Sequence, residues 1–195
     1  GVYRVTDRTQ PIASMVDRAA IACKSISGSF MEHVAFYDEA MRQRILEEQE
    51  SCDDSHRALQ NGEFCVYFQA VYGVKAEQFV SAEALVRWIR PDGEIISPGR
   101  FVPIFEENGF IADMDFAIYR QAIADIKRWT RNGIEVPLIS LNVSRHHLKD
   151  DSFSDKLNAL VDSLGVPHEK IDLEITESLL TENINKLVEV MTQLK

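Results

Sequence analysis

Residues 79–90 constrain the fold more than any other stretch, because they alternate between two kinds of side chain. The alternation has the period of two that is typical of a β-strand. One face is apolar throughout and is predicted to pack against helices; it consists of Val80, Ala82, Ala84, Val86 and Trp88. The other face carries Glu83 and Arg87 on either side of Leu85. A strand of this kind separates a hydrophobic core from a polar surface.

The acid and the base on that polar face allow two interpretations. Ionisable groups on the inner side of a strand are costly unless they bind a metal, a ligand or each other. Glu83 and Arg87 could therefore belong to a functional site, or they could pair in a ladder of ion pairs across a sheet. Residues 79–90 alone leave both open.

Composition excludes several classes of protein. The 195 residues carry a net charge of −10, which argues against binding of nucleic acid polymers, because phosphate backbones require a basic surface. An anionic ligand would need a local cation, most simply a divalent metal. No apolar run approaches the ~20 residues of a membrane span, so no membrane segment is expected. Cys23, Cys52 and Cys65 lack CxxC spacing, which indicates neither a disulfide framework nor a zinc site and favours the reducing cytoplasm.

The first part of the chain has the pattern of a small α/β fragment. Short strands are predicted at 1–6 and 33–37, around a helix that begins at Pro11 and ends at Gly28. A unit of this size buries too little area to fold alone. We therefore expect it to be the end of a larger domain.

A long charged segment follows, without Gly or Pro up to Asn61-Gly62. Asp38 is a favourable N-cap, and the apolar stripe is thin, which predicts a mostly solvated helix connecting two domains. This helix could relay a signal or dimerise, or it could be a simple spacer.

From Phe64 the pattern becomes one of alternating strands and helices. The short link between a β-rich segment at 64–72 and the strand at 79–90 permits a hairpin, so these two strands should be antiparallel. Helices are predicted at 101–107, 111–132, 153–164 and 182–194, and further strands at 138–144 and 170–176. This succession indicates βα units and a parallel sheet, open or closed.

Three strand ends are predicted to carry an oxygen-bearing side chain after an apolar run: Glu83, Asn142 and Glu174. In parallel βα architectures, ligands and catalytic groups collect at the carboxyl ends of strands. Two carboxylates and an amide oxygen form a hard donor set, which suits Mg²⁺ or Mn²⁺ and disfavours zinc.

These segments resemble the motifs of the EAL domain family. Glu83-Ala-Leu-Val-Arg-Trp and the following Arg90-Pro-Asp-Gly-Glu-Ile-Ile-Ser-Pro98 are similar to the family signature. Gln69 lies where the family has the glutamine of its Gln-Pro-Ile motif, although Ala and Val follow it here. Leu141-Asn-Val-Ser and Glu174-Ile-Thr-Glu-Ser match two further motifs in order.

Residues 1–38 resemble, more weakly, the end of a GGDEF domain, on a Gly1-Val-Tyr strand and a helix containing Asp17-Arg-Ala. The resemblance implies three parts: a GGDEF remnant at 1–38, a linker helix at 39–62 and the first part of an EAL domain at 63–195. The implied fold is α/β: a partial TIM-like (β/α) barrel of the EAL type with one antiparallel strand, joined by a helix to a small α/β fragment.

The activity implied is metal-dependent hydrolysis of cyclic di-GMP to linear pGpG in bacterial signalling. By match, the metal ligands are Glu83, Asn142 and Glu174, and the cofactor is Mg²⁺ or Mn²⁺. Gln69, Leu85 and Arg87 are implied to contact the dinucleotide.

The family's catalytic aspartate pair and lysine are expected beyond Lys195. We therefore expect this chain alone to be a poor or inactive hydrolase. Missing strands would leave an open sheet edge, for which a homodimer or an exchanged assembly is the expected remedy.

Two other functions stay open: a non-catalytic receptor that binds cyclic di-GMP and relays a signal, and a pure interaction scaffold. His146-His147 also invites a zinc hypothesis, but adjacent histidines point in different directions and no cysteine is near, so a surface or capping role is favoured. The role of Glu177, which follows Glu174 in the same motif, stays open, with helix capping as the simplest alternative.

Overall fold

The computed structural model describes residues 1–26, 33–75 and 77–175, with the backbone alone at positions 44 and 46–53. The chain divides into two compact units, Gly1–Asp53 and Asp54–Lys195. The predicted helix at 182–194, the helix end at Gly28 and the capping role of Glu177 lie outside the described residues.

The first unit contains one helix beside a minimal strand pairing. Helix α1 spans Ile12–Lys24, directly after Pro11, as its sequence predicts. Of the two predicted strands, only a parallel bridge between Val2 and Phe36 forms. Two short strands with a single partner each gain few ladder hydrogen bonds, which accounts for the reduced pairing.

The apolar stripe of α1 is largely uncovered within this unit. Ile12 is 78% exposed and Val16 is 60% exposed, whereas Ala22 is fully buried. Burying such a stripe against another element is what normally stabilises a helix of this length.

Helix α2 spans Glu39–Gln60 and confirms the predicted long helix. Its first turn is capped as expected, because the Asp38 carboxylate accepts a hydrogen bond of 2.9 Å from the backbone N–H of Met41. Its role as a linker remains a prediction.

The second unit is a mixed α/β structure built on an open sheet. Its strands are β1 (Phe64–Gly73), β2 (Gln78–Ile89), β3 (Ile95–Ile96), β4 (Leu138–Val143) and β5 (Ile171–Ile175). Its helices are α3 (Pro98–Asn108), α4 (Ile111–Arg131) and α5 (Phe153–Leu164).

The main strands lie in the order β1-β2-β4-β5, and β3 pairs with β2. The β1–β2 hairpin is antiparallel, as the short link predicts, while β2, β4 and β5 run parallel. Among the described strands the sheet does not close, so the fold is a partial barrel.

Two features of this unit differ from the sequence expectations. Strand β3 was not predicted; it forms because the turn at Pro91-Asp92-Gly93 returns the chain beside Trp88 and Ile89 of β2. Helix α3 begins at Pro98 rather than at residue 101, since proline is well suited to a first helical turn.

The predicted division of β2 into two faces is confirmed, except at Val80, which is partly exposed. Ala82 and Ala84 of its apolar face pack with α4 and α5 in one buried cluster, together with alternate residues of β4. A second cluster has an aromatic centre around Trp88, which is 1% exposed. It includes Phe64, Phe101, Phe105 and Phe110.

Helix α4 also satisfies part of the free edge of β1. The Gln121 side chain donates to the carbonyl of Phe64 (2.7 Å) and accepts from the N–H of Val66 (3.2 Å). The amide thus takes the place of a neighbouring strand for one carbonyl and one N–H. These two groups of the edge are then not available to pair with another chain.

Candidate functional site

Strand register brings the three predicted oxygen donors to one face of the sheet. Asn142 on β4 lies directly opposite Glu174 on β5. Glu83 on β2 lies opposite Ser140, two residues before Asn142 on the same strand face. The side-chain amide of Asn142 donates a hydrogen bond of 2.7 Å to Oε1 of Glu83. Three strands distant in sequence thus present two carboxylates and an amide together.

One expectation about Glu83 needs correction. It does not end its strand, since β2 continues to Ile89. The physical reason is the antiparallel partner β1, which supplies ladder hydrogen bonds along the whole of β2. The parallel pairing with β4 does stop at Ala84, so Glu83 lies at the end of the parallel part.

The three residues predicted to contact the dinucleotide belong to the same face. Gln69 lies opposite Glu83 across the hairpin, and Leu85 and Arg87 follow at alternate positions of β2. The Arg87 guanidinium donates to the carbonyl of Val86 (2.7 Å) and lies 5.9 Å from the ring centre of Tyr67.

The described residues do not form the ladder of ion pairs that was one interpretation of Glu83 and Arg87. Within the part of the chain that the structure describes, Glu83 and Arg87 form no ion pair, and Glu83 bonds to Asn142 instead. A ladder would need opposite charges on the neighbouring strands, but Glu83 lies opposite Gln69 and Ser140, and Arg87 lies opposite Cys65. The acid and the base therefore remain available to a ligand.

A cavity of about 250 Å³ opens beside this face. Its sheet side includes Leu85, Arg87 and Asn142 of the polar face, and also residues of the apolar face at the ends of β2 and β4. Its helix side includes Glu106 of α3 and Asp115 of α4. The cavity thus combines apolar walls with a few polar groups, the usual character of a small-molecule site.

Asp115, in the wall of the cavity, belongs to a buried polar pair that the sequence did not reveal. His147 is 1% exposed, and its Nε2–H donates to Oδ2 of Asp115 at 3.0 Å. Burial raises the pKa of the Asp115 carboxyl, against the opposing effect of the His147 hydrogen bond. The one available signal was the His146-His147 motif, which contains no hint of its helix partner.

The zinc hypothesis for these histidines is unsupported and His147 is not a surface residue, but the capping role agrees with His146, which contacts a carbonyl in the last turn of α3. His147 is a core residue committed to Asp115, and Nε2 of His146 contacts the carbonyl of Glu106 instead. Among the described residues, no group of three or more His, Cys, Asp or Glu side chains could hold a metal. A cation at this face would therefore need the amide of Asn142 beside Glu83 and Glu174. That all-oxygen donor set fits Mg²⁺ or Mn²⁺ by its chemistry.

Comparison with known proteins identifies the family. The sequence profile of the EAL domain matches residues 53–195. The chain belongs to the EAL domain family. Among curated relatives, the EAL chain is 26% identical over 175 residues to the probable cyclic di-GMP phosphodiesterase PdeI of Escherichia coli. That match covers 89% of this chain and 22% of PdeI.

A second E. coli relative, the cyclic di-GMP phosphodiesterase PdeR, is 29% identical over 153 residues. This match covers 78% of the EAL chain and 23% of PdeR. The chain therefore spans only about a quarter of the length of these two relatives.

Solved structures share the fold. A complex described as PaMucR phosphodiesterase with c-di-GMP superposes with a TM-score of 0.69 at 23% identity, covering 74% of this chain and 59% of that one. The S helix-GGDEF-EAL structure of Vibrio cholerae LapD, bound to c-di-GMP, gives a TM-score of 0.61 at 14% identity. It covers 98% of this chain and 45% of LapD.

Proposed function

We propose that this EAL chain binds cyclic di-GMP and belongs to a protein that hydrolyses it to linear pGpG with Mg²⁺ or Mn²⁺. The observation that carries the proposal is the convergence of Glu83, Asn142 and Glu174 on one open face. The phosphodiesterase names of PdeI and PdeR support it.

Three side chains would hold the metal: the carboxylates of Glu83 and Glu174 and the amide oxygen of Asn142. A divalent ion bound there would lower the pKa of a bound water and stabilise charge at phosphorus. The chain's own contribution is to keep these donors in register, which the paired strands β4 and β5 do through their backbone ladder.

The dinucleotide would lie across the adjacent part of the face. Arg87 would leave the carbonyl of Val86 and turn its two-pronged guanidinium to a phosphate, which offers a stronger, charged acceptor. Leu85 would supply apolar contact beside it, and Gln69 an amide with both a donor and an acceptor.

A receptor without catalytic activity is the second candidate, and one observation favours it for this chain. No lysine belongs to the polar face among the described residues. Lys170 precedes β5 and donates instead to the carbonyl of Val136, which precedes β4. Without a lysine to assist a proton transfer, we expect the described residues of the polar face to bind cyclic di-GMP without hydrolysing it.

The test is incubation with cyclic di-GMP and Mn²⁺, followed by chromatography for pGpG. It should compare this chain, a longer version containing the remaining family motifs, and the Glu83→Gln variant of each. Turnover that Glu83→Gln abolishes supports the hydrolase. Binding without turnover in both lengths supports the receptor. Failure to bind in both lengths contradicts the proposed function.

We also propose that residues 1–38 are the end of a GGDEF domain and that residues 39–62 link it to the EAL domain, 63–195. Two observations support the assignment. The apolar stripe of α1 is exposed, and the S helix-GGDEF-EAL structure of LapD aligns with 98% of this chain. Expression of residues 1–62 alone tests it, because a remnant should give a poorly dispersed NMR spectrum.

A homodimer or exchanged assembly and a cytoplasmic location complete the proposal. The open sheet supports the first, and Cys65, which is a thiol and not part of a disulfide, supports the second. Within the described residues, no helix has both the length and the apolar character to cross a membrane. Light scattering coupled to size exclusion tests the assembly, and a monomer at micromolar concentration would contradict it.

A further inference from the structure

Residues 142–147 form the carboxyl end of β4 and the turn that follows it. One face of helix α4 holds this segment in place through two hydrogen bonds. The Tyr119 hydroxyl donates a hydrogen bond of 2.7 Å to the backbone carbonyl of Asn142. Asp115 lies one turn earlier on α4 and accepts a hydrogen bond of 3.0 Å from His147. Residues four apart on a helix share a face, so the two bonds hold both ends of this segment.

The residue that donates each of these two hydrogen bonds is buried. Tyr119 is 2% exposed and His147 is 1% exposed. The His147 ring stacks on Phe153 with centroids 4.5 Å apart and an interplanar angle of 26°. Because a buried donor or acceptor finds no water when its partner is lost, such bonds strongly favour a single arrangement.

The middle of the segment is fastened to helix α3. Arg145 forms an ion pair of 3.7 Å with Glu106, and the ring of His146 contacts the carbonyl of the same glutamate. Three consecutive side chains thus bind two different helices. The segment has little freedom left, and Asn142, its first residue, is the one whose amide meets Glu83.

We propose that Tyr119 and the Asp115–His147 pair are positioning residues, which set the Asn142 side chain in the place where it meets Glu83 and serves the metal site. The functional part of this proposal rests on the proposed function, because that function makes Asn142 a metal ligand. None of the three belongs to the residues assigned above to the metal or to the dinucleotide. Loss of groups that orient a metal ligand typically weakens metal binding by about 10- to 100-fold.

Tyr119→Phe is the decisive variant, because it removes one hydroxyl and keeps the ring in the core. Tyr72→Phe is its matched control, since Tyr72 lies at the hairpin tip and is 53% exposed. For the histidine, His147→Gln retains an N–H donor toward Asp115 and should rescue what His147→Leu loses. His168→Leu is the matched control, as His168 forms an exposed bond of 2.8 Å with Asp162.

The first readout needs neither metal nor turnover: the side-chain amide NMR signals of Asn142, assigned by their loss in Asn142→Asp. The bond to Glu83 should shift one amide proton downfield and slow its exchange with water. We expect Tyr119→Phe and His147→Leu to move this signal to the position of a free amide. Tyr72→Phe, His168→Leu and His147→Gln should leave it in place.

The second readout is Mn²⁺ affinity by calorimetry, with about a 10-fold loss or more expected for Tyr119→Phe. An unchanged Asn142 signal in a folded Tyr119→Phe protein would overturn the proposal, even if His147→Leu fails to fold. Should the wild type bind no Mn²⁺ while its Asn142 signal still responds to Tyr119→Phe, the proposed function fails and the positioning stands.

Discussion

The two faces of β2 are made by alternate residues of one strand, yet they differ in nearly every physical respect. Ala82, Ala84 and Trp88 are buried in packed clusters. Glu83 and Arg87, between them, are partly exposed and make few bonds. One strand thus presents a packed face and a polar face, which we propose for ligand binding, and the following predictions test whether stability and binding separate in this way.

The largest expected effect is on stability, at the apolar face. Trp88→Ala removes the centre of the aromatic cluster and should cost about 3–5 kcal/mol in the free energy of unfolding. Its neighbour Arg87→Ala should change stability by no more than about 0.5 kcal/mol, as expected of a partly exposed side chain. Urea unfolding measures both, and similar costs for the two variants would break the comparison.

Next in size is the effect of Arg87 on ligand binding. Loss of its charged hydrogen bonds should cost about 1.5–3 kcal/mol, or about 10- to 150-fold in affinity for cyclic di-GMP. Arg128→Ala is the control, since Arg128 pairs with Asp125 on α4 and is not on the polar face. Calorimetric titration is the measurement, and an equal loss in the control would point to a general charge effect.

Two glutamines sharpen the same contrast. Gln121→Leu leaves the carbonyl of Phe64 and the N–H of Val66 without their partner, which should cost about 1–3 kcal/mol of stability. Gln69→Leu should leave urea unfolding unchanged and weaken dinucleotide binding. A loss of stability in Gln69→Leu, or a loss of dinucleotide binding in a stable Gln121→Leu, would contradict the separate roles of the two faces.

The smallest expected effect concerns pH. Burial raises the pKa of Asp115 above its ordinary value of 3.8. The folded state therefore holds this proton more tightly than the unfolded state, so its contribution to stability decreases as pH rises from about 3.8 through the raised value. Asp115→Asn should lack that decrease. Thermal midpoints between pH 3.5 and about 7 measure it, and parallel curves for both proteins would show that Asp115 contributes none of the pH dependence.

Much of this arrangement follows from local patterns in the sequence. The period of two in residues 79–90 was enough to predict both faces of β2, because side-chain direction in a strand depends only on position. The hairpin followed from the length of its link. Asn142 and Glu174 meet because parallel strands with similar patterns pair in register.

Other features could not be predicted, because they depend on where helices pack. The bond between Asp115 and His147 joins residues 32 apart, and nothing near either one indicates the other. The hydrogen bond from Tyr119 to the carbonyl of Asn142 involves a backbone acceptor, which leaves no trace in the sequence. The packing of α4 against the end of β4 creates both.

The central claim is that the polar face binds cyclic di-GMP through a divalent metal held by Glu83, Asn142 and Glu174. Its most direct test is calorimetric titration of cyclic di-GMP into this chain with Mn²⁺ and with EDTA, repeated for Glu174→Gln. We predict binding that requires Mn²⁺ and is lost in Glu174→Gln while the fold persists. Equal affinity in EDTA, or full metal-dependent binding by the variant, would contradict the claim.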